Sequence, residues 1–261
     1  MATEDESSLD TGSNGAEPRS AEDDDLRDSL QALSQMAIGA MDLEDTLTRV
    51  AQFAVLAIPG ADGAGLTLLE NDRSNTIVTT ASFVSEVDDI QYTLGQGPCI
   101  SAAAEAQTVM SGSLGGDTRW PQFGSKVARL GVHSVVSLPL VAAGGVIGAM
   151  NVYAHDKHVF NDRAAAIGEY FALPAAVAVQ NAQVLAQAKR LAAQLQNALM
   201  QRGAIERAVG IMMSRTGGGA EETLERLRKI SQQEHLKLTV VAERIVDEAV
   251  RRARSRHGDQ R

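Results

Sequence analysis

Two kinds of apolar periodicity organise the first two thirds of the chain. Helical spacing begins near Leu30 and continues to Leu56, where Pro59-Gly60 interrupts it. Short aliphatic and β-branched runs then pair across polar turns and predict two hairpins, residues 63–70 with 76–82 and residues 135–141 with 146–153. The stretch between the hairpins, residues 92–120, is predicted to be rich in loops, with a short helix at 99–106. Hairpin strands flanked by helices predict an α+β domain with an antiparallel sheet.

A long helix is predicted from Asp162 to about Arg215, with Pro174 inside it. Its apolar positions step by seven residues along two seams offset by four, which are Val177, Val184, Leu191 and Ala198, and Asn181, Ala188 and Leu195. This spacing is typical of a short coiled coil, in which a core Asn fixes the register of a parallel dimer. We expect a homodimer through residues 177–200. The alternative is a single helix that packs on its own sheet.

The remainder of the chain predicts two further helices. A break at residues 216–219 separates the long helix from helices at 220–233 and 239–254, with Thr239 as the N-cap of the last one. The apolar stripes are aliphatic, because no aromatic residue follows Phe171. These features predict an all-α three-helix bundle at the C-terminus.

Charge is distributed unevenly along the chain. Residues 1–25 contain nine acidic residues and one basic residue, and Leu9 is their only large apolar residue, so we expect a disordered acidic tail. Residues 187–261 contain nine acidic and fifteen basic residues, a net charge of +6, although the whole chain carries −9. Clustered Lys and Arg are what phosphate contacts require, so this segment indicates a nucleic-acid partner, with a solvated helix face as the alternative.

The sequence offers little support for catalysis or for a metal site. It has no GxSxG motif, no P-loop and no GxGxxG that opens a helix after a strand. Adjacent Asp88 and Asp89 are expected on a solvated loop, and His155 and His158 at the surface without a third ligand. The only cysteine, Cys99, is expected to be a small buried side chain, with a reactive thiol at a helix N-terminus as the alternative. We therefore expect neither an enzyme nor a metalloprotein.

The expected location is the cytoplasm, with no membrane partner. No apolar run reaches the length of about 18–20 residues that a membrane-spanning helix needs. The acidic, polar start of the chain is unlike a signal peptide.

Residues 195–246 resemble the ANTAR domain, the RNA-binding antitermination module of bacterial response regulators. The resemblance is carried by Leu195, Gln196, Leu199, Arg202, Ile205, Ala208, Gly210, Ile211, Met212, Leu227, Arg228, Ser231, Leu238, Ala242 and Ile245. The chain departs from the family at Val209, where Lys is usual, and at Thr239-Val240, where a basic-acidic pair is common. The resemblance implies a dimer that holds tandem stem-loops in nascent RNA and so prevents a terminator hairpin from forming.

Residues from about Leu43 to Gln183 resemble a GAF domain, a ligand-sensing α+β module often fused to ANTAR in actinobacteria. The stretches that carry this resemblance are residues 94–103, 117–123 and 134–154. The asparagine-lysine-phenylalanine-aspartate-glutamate motif of cyclic-nucleotide GAF domains is not evident. His133 is the one candidate haem ligand, with a structural role at a strand edge as the alternative. The resemblance implies an unidentified small-molecule ligand, and no cofactor is identified.

The sequence thus predicts a disordered tail at 1–25, a GAF sensor domain at 26–185, an ANTAR domain at 186–255 and a flexible tail at 256–261. The candidate RNA contacts are Arg202, Arg207, Arg215, Arg228, Lys229 and Arg244. The main alternative is a DNA-binding regulator with a helix-turn-helix tail. Two further alternatives are a protein-interaction adaptor and a GAF-fold enzyme such as a methionine sulfoxide reductase, which would need resolving thiols.

Overall fold

A computed structural model describes residues 21–70 and 73–258 of the protein. It divides into an N-terminal unit that ends at Leu185 and a C-terminal unit that begins at Ala186. The helices are α1 (Ala21–Ser34), α2 (Leu43–Ala57), α3 (Ser82–Leu94), α4 (Pro98–Glu105), α5 (Pro121–Arg129), α6 (Asp162–Thr216), α7 (Ala220–Gln233) and α8 (Leu238–Gly258). The strands are β1 (Gly63–Glu70), β2 (Arg73–Thr79), β3 (Val109–Ser111), β4 (Ser134–Ala142) and β5 (Gly145–Ala154).

The N-terminal unit is built on one antiparallel sheet in the order β2-β1-β5-β4-β3. Both predicted hairpins are present, as β1–β2 and β4–β5, which confirms the α+β prediction. Side chains alternate across the sheet, so Leu66, Leu138 and Met150 join an aliphatic core with residues of α1, α2 and α6. The opposite face packs against a second core that includes Val87 of α3 and Phe123 of α5. The sheet is therefore covered on both faces.

Helix α3 is a correction to the sequence-based prediction, which ended a strand at residue 82 and placed Asp88 and Asp89 on a loop. The helix buries Val84, Val87, Asp88 and Gln91, a spacing of three and four residues. Two of these four positions are polar, so the apolar period that would have predicted the helix is interrupted. Strand β3 likewise replaces part of the predicted loop at 92–120, and α5 follows that loop in a stretch for which no element was predicted. The predicted helix at 99–106 is found as α4.

The predicted tails are also corrected at their inner ends. Helix α1 begins at Ala21, so residues 21–25 are helical, with Glu22, Asp23 and Asp24 in the first turn. Acidic side chains are stabilised there by the helix dipole, and Arg163 of α6 pairs with Glu22 and Asp23. At the other end α8 continues to Gly258, beyond the predicted start of a tail at 256. Residues 1–20 and 259–261 of the two predicted tails lie outside the described residues.

The C-terminal unit packs α7 and α8 against the last part of α6. Its buried core consists of Ala208, Leu227, Val241 and Ala242. Helix α7 has the predicted bounds. Helix α8 starts at Leu238, so Thr239 lies inside the helix and is not its N-cap, and the Val240 and Val241 N–H groups donate to the Lys237 carbonyl.

Gly148 of β5 allows the central strands to approach each other, and its replacement is a test of the sheet. A Cβ atom built on Gly148 would lie 2.2 Å from the backbone oxygen of Thr67 on β1. We expect Gly148→Ala to force β1 and β5 apart and to lower the free energy of unfolding by about 1–3 kcal/mol. The measurement is urea unfolding followed by the fluorescence of Trp120, the only tryptophan, which is buried in this unit.

Gly144→Ala is the matched control for this variant. Gly144 lies in the turn of the same hairpin, and a Cβ atom there meets nothing within 4 Å. Equal unfolding midpoints for the two variants would contradict the predicted contact.

Candidate functional site

A row of small and polar residues crosses the sheet on the face opposite to the aliphatic core. Ser137 of β4, Asn151 of β5 and Gly65 of β1 are register partners on adjacent strands. The Ser137 hydroxyl donates to Asn151 Oδ1 at 2.8 Å. A Cβ atom on Gly65 would lie 2.4 Å from Asp88 Oδ2, so the glycine leaves the space that the Asp88 carboxyl of α3 occupies.

Asp88 is a buried carboxyl held over this row, with 1% of its surface exposed. The Tyr153 hydroxyl donates to Asp88 Oδ1 at 2.8 Å, and Asn151 Nδ2 donates to the same oxygen at 3.3 Å. Oδ2 has no hydrogen-bond partner among the described residues. Burial raises the pKa of Asp88 from 3.8 to about 7, although the hydrogen bonds from Tyr153 and Asn151 lower it in part. The prediction that Asp88 and Asp89 both lie on a solvated loop is therefore wrong for Asp88. Successive residues of a helix point about 100° apart, so Asp88 faces the sheet while Asp89 faces outward.

An open cavity of about 440 Å³ lies near the buried carboxyl, which does not line it but whose charge raises the pKa of two lining residues, Tyr92 and Cys99. Its lining comes from β1, α3, α4, β5 and the α3–α4 turn: Thr67, Leu69, Tyr92, Gly95, Cys99, Ile100, Ala103, Ala104 and Ala149. The Tyr92 hydroxyl donates to Thr67 Oγ1 at 2.6 Å and lies 3.3 Å from Cys99 Sγ. Sequence reasoning missed this cavity, because its walls come from segments up to about 80 residues apart.

Cys99 is buried, which confirms the expectation of a small buried side chain. Burial raises the pKa of its thiol to about 11, so the group stays protonated at neutral pH. A protonated thiol is a poor nucleophile. The structure thus gives no support to the alternative of a reactive thiolate at the start of α4.

The three histidines that we considered lie apart from this cavity. His155 and His158 are exposed, and His155 Nδ1 lies 3.0 Å from the carbonyl oxygen of Gly131. His133 Nδ1 is buried and has no partner in the described part of the chain. Within residues 21–70 and 73–258, no three His, Cys, Asp or Glu side chains converge as metal ligands would. None of the helices described in these ranges has the length and hydropathy to cross a membrane.

Three of the predicted RNA contacts form ion pairs on the surface of the C-terminal unit. Arg202 Nε lies 2.8 Å from Glu206 Oε1, Arg244 Nη2 lies 2.6 Å from Glu234 Oε2, and Arg228 pairs with Glu225. All three arginines are exposed. Such surface pairs contribute about 0–1 kcal/mol, so an incoming phosphate can replace the carboxylate at little cost.

Two other predicted contacts, Arg207 and Arg215, are brought together in a groove between α6 and α8. The groove has a volume of about 630 Å³, and its other lining residues are Gly210, Ile211, Ser214, Val246, Ala249 and Val250. No ion-pair partner of either arginine is present among the residues that the structure describes. Lys229 is exposed on α7 and, like the three paired arginines, does not line this groove. The α6–α8 groove is the strongest candidate for a phosphate-binding surface.

Asp88→Asn tests the buried carboxyl through the pH dependence of stability. Between the pKa of about 3.8 in the unfolded chain and about 7 in the fold, the folded state retains a proton that the unfolded chain has released. Wild-type stability therefore falls as the pH rises through this range, and Asn, which cannot ionise, avoids the loss. We expect the stability of Asp88→Asn relative to wild type to rise by on the order of a few kcal/mol between pH 5 and 8.

The measurement is urea unfolding at several pH values, again followed by Trp120 fluorescence. Asp89→Asn, at the exposed neighbouring position, is the matched control for the removal of one carboxylate. A difference between Asp88→Asn and wild type that does not change with pH would show that the carboxyl is ionised in the fold.

Several domains of known structure are similar to this chain at low sequence identity. The GAF domain of a phosphoenolpyruvate-protein phosphotransferase from Acinetobacter is 13% identical, with 65% of this chain and 99% of that chain covered and a TM-score of 0.47. The corresponding domain from Coxiella burnetii is 16% identical, covering 63% and 98%, with a TM-score of 0.48. A free methionine-R-sulfoxide reductase from Neisseria meningitidis is 16% identical, covering 62% and 90%, with a TM-score of 0.47. The search among curated proteins found no match.

Comparison with sequence families gives two matches that follow each other along the chain. The GAF domain family matches residues 40–180, more than half of the chain, and the ANTAR domain family matches residues 193–246. Both resemblances drawn from the sequence are confirmed. The protein therefore belongs to the GAF domain family and carries an ANTAR domain behind its GAF domain.

Proposed function

We propose that the protein is a dimeric RNA-binding regulator of transcription antitermination, controlled by a signal that its GAF domain senses. The observation that carries the proposal is the ANTAR match over the one basic segment of an acidic chain. The net charge of +6 after residue 187 supplies the attraction that RNA phosphates require. The RNA that the family implies is a pair of stem-loops in the nascent transcript.

The α6–α8 groove is the part of this surface that we place against the RNA backbone. Arg207 and Arg215 are eight residues apart on α6, about 12 Å along the helix axis. A guanidinium presents a planar set of donors that suits a phosphate, and the exposed Gly210 between the two arginines adds no side chain that would block approach. Arg202, Arg228, Lys229 and Arg244 are proposed as supporting contacts, because their exposed positions allow exchange of partners.

A second copy of the chain is the proposed partner of the exposed apolar stripe on α6. Residues of α6 that pack on the sheet, such as Ile167, Phe171 and Val179, are buried. A different stripe, which includes four residues of the predicted seams, is more than half exposed: Tyr170, Leu173, Val177, Val184, Leu191, Leu195 and Leu199. A helix with apolar residues on two sides needs a partner for each side. The heptad spacing and the core Asn181 favour a parallel pair of helices.

A DNA-binding function remains the second candidate, because one feature of the structure favours it. Helices α7 and α8 are separated by the four residues 234–237, a spacing found in helix-turn-helix motifs. In that motif the first turn of the second helix reads base edges. In α8 this turn contains Leu238, which packs on the core, Thr239, which is partly exposed, exposed Val240 and buried Val241. Thr239 is the only one of the four whose side chain can form a hydrogen bond to a base, so RNA binding is the better supported function.

The RNA surface can be tested by filter binding to an RNA with two tandem stem-loops. We expect Arg207→Ala and Arg215→Ala each to weaken binding and to reduce the slope of log K against log salt by about 0.7–0.9, because each removes one phosphate contact. Arg202→Ala and Arg228→Ala are expected to act in the same direction. Arg49→Ala, an exposed arginine on α2, is the matched control.

Circular dichroism first establishes that each variant is folded, since arginine stems also contribute packing. If Arg49→Ala weakens binding as much as the groove variants do, the surface is misplaced. If duplex DNA competes as well as the stem-loop RNA, the helix-turn-helix function is the correct one.

The dimer can be tested by sedimentation equilibrium at micromolar concentration. Wild-type protein is expected at about twice 27.6 kDa. Leu191→Glu places a charge in the proposed seam, where a neighbouring helix would bury it, and is expected to give monomers. Ala193→Glu introduces the same charge on the far side of α6 and should leave the dimer intact. A wild-type monomer, or two variants that behave alike, would rule out this interface.

A further inference from the structure

The cavity beside Asp88 is lined only by uncharged side chains. Its nine lining residues include no lysine, arginine, histidine, aspartate or glutamate. Five of them, Leu69, Ile100, Ala103, Ala104 and Ala149, are aliphatic. The volume of about 440 Å³ lies within the range of small-molecule sites, which are mostly apolar with a few placed polar groups.

The polar groups of this cavity meet at one place. Tyr92 approaches Thr67 to 2.6 Å and Cys99 to 3.3 Å, so two hydroxyls and a thiol share a single corner of the wall. Burial raises the pKa of both Tyr92 and Cys99, so the corner presents neutral donors and acceptors. A ligand that reaches this corner needs one group able to form a hydrogen bond, and the rest of its surface meets aliphatic side chains.

Charge on the ligand is disfavoured by the residues around the cavity. An anion would find no basic side chain in the lining, and the Asp88 carboxyl lies near enough to raise the pKa of Tyr92 and of Cys99 by its charge. The Asp88 charge would attract a cation, but Asp88 does not line the cavity, so no carboxylate there would contact the cation and replace its lost water. Removal of an unpaired charge from water is costly, so the cavity discriminates against ions of both signs.

We infer that this cavity binds a small, uncharged and largely apolar molecule that places one hydroxyl-like group against Tyr92, Thr67 and Cys99. The inference rests on the proposed sensing role of the GAF domain and names the class of signal. It separates this site from one built for a cyclic nucleotide, whose phosphate carries a negative charge.

Three probes of one shape and different polarity test this inference by equilibrium dialysis against the full-length protein at pH 7. They are 2-naphthol, which is neutral with a hydroxyl, naphthalene, which lacks it, and 2-naphthoate, which is an anion. We expect 2-naphthol to bind more tightly than naphthalene by about fivefold, the equivalent of one neutral hydrogen bond. We expect 2-naphthoate to bind at least about tenfold more weakly than 2-naphthol.

Two variants locate the binding. Tyr92→Phe removes the hydroxyl and is expected to abolish the preference for 2-naphthol over naphthalene. Ser125→Ala, which removes an exposed hydroxyl on α5, is the matched control and retains the preference. Ala103→Leu adds volume at the wall and is expected to weaken both neutral probes. Trp120 fluorescence reports whether each variant is folded. If Tyr92→Phe does not fold, Thr67→Val repeats the test at the same corner of the cavity.

Several results would overturn the inference. The first is that 2-naphthoate or 3′,5′-cyclic AMP binds as tightly as 2-naphthol. The second is that no neutral probe binds at its solubility limit, and the third is that Ala103→Leu leaves the binding of the neutral probes unchanged. Stem-loop RNA binding is measured on the same preparations. If the wild-type protein binds the RNA but does not bind the neutral probes, only the inference about the ligand is wrong. If the wild-type protein does not bind the RNA, the proposed function itself is refuted.

Discussion

The central strands of the sheet are covered on both faces, and most features of the N-terminal unit follow from this constraint. Alternating side chains of β1, β5 and β4 send Leu66, Met150 and Leu138 into the aliphatic core and leave the other face to different chemistry. On that face Asn151 and Gly65 form part of a polar row under α3. A buried polar row must find partners from the element that covers it, which is why the covering helix carries polar residues on its inner side.

Asp88 shows how this constraint creates a candidate sensor. Its carboxyl is bound through Oδ1, and burial raises its pKa to about 7, so the group is partly protonated near neutral pH. The nearby cavity has Tyr92, Thr67 and Cys99 at one corner of its wall, and five of its nine lining residues are aliphatic. A site of this kind recognises shape and one hydrogen bond more than charge. The C-terminal unit has the opposite character, with a small aliphatic core and its charges on the surface.

Local sequence signals determined much of the fold. Polar turns between β-branched runs predicted both hairpins, the glycine break predicted the bounds of α7, and helical periodicity predicted the long α6. The families could be identified because short motifs with fixed spacing carry them. Helix α3 escaped prediction, since Asp88 and Gln91 occupy two of its four buried positions and interrupt the apolar period. The buried face of α3 is partly polar, and it can be buried only because the sheet beneath it presents a polar row.

The sequence by itself determined the order of elements, the charge of each segment and the residue types available for RNA contact, because these depend on neighbours along the chain. Only the tertiary structure decided that Asp88 meets Tyr153, that Thr67 and Cys99 share a cavity, and that Arg207 and Arg215 line one groove. These outcomes depend on residues far apart in sequence. The contact of Asp88 with Tyr153 spans 65 positions, and its space exists because Gly65 on a third segment has no side chain.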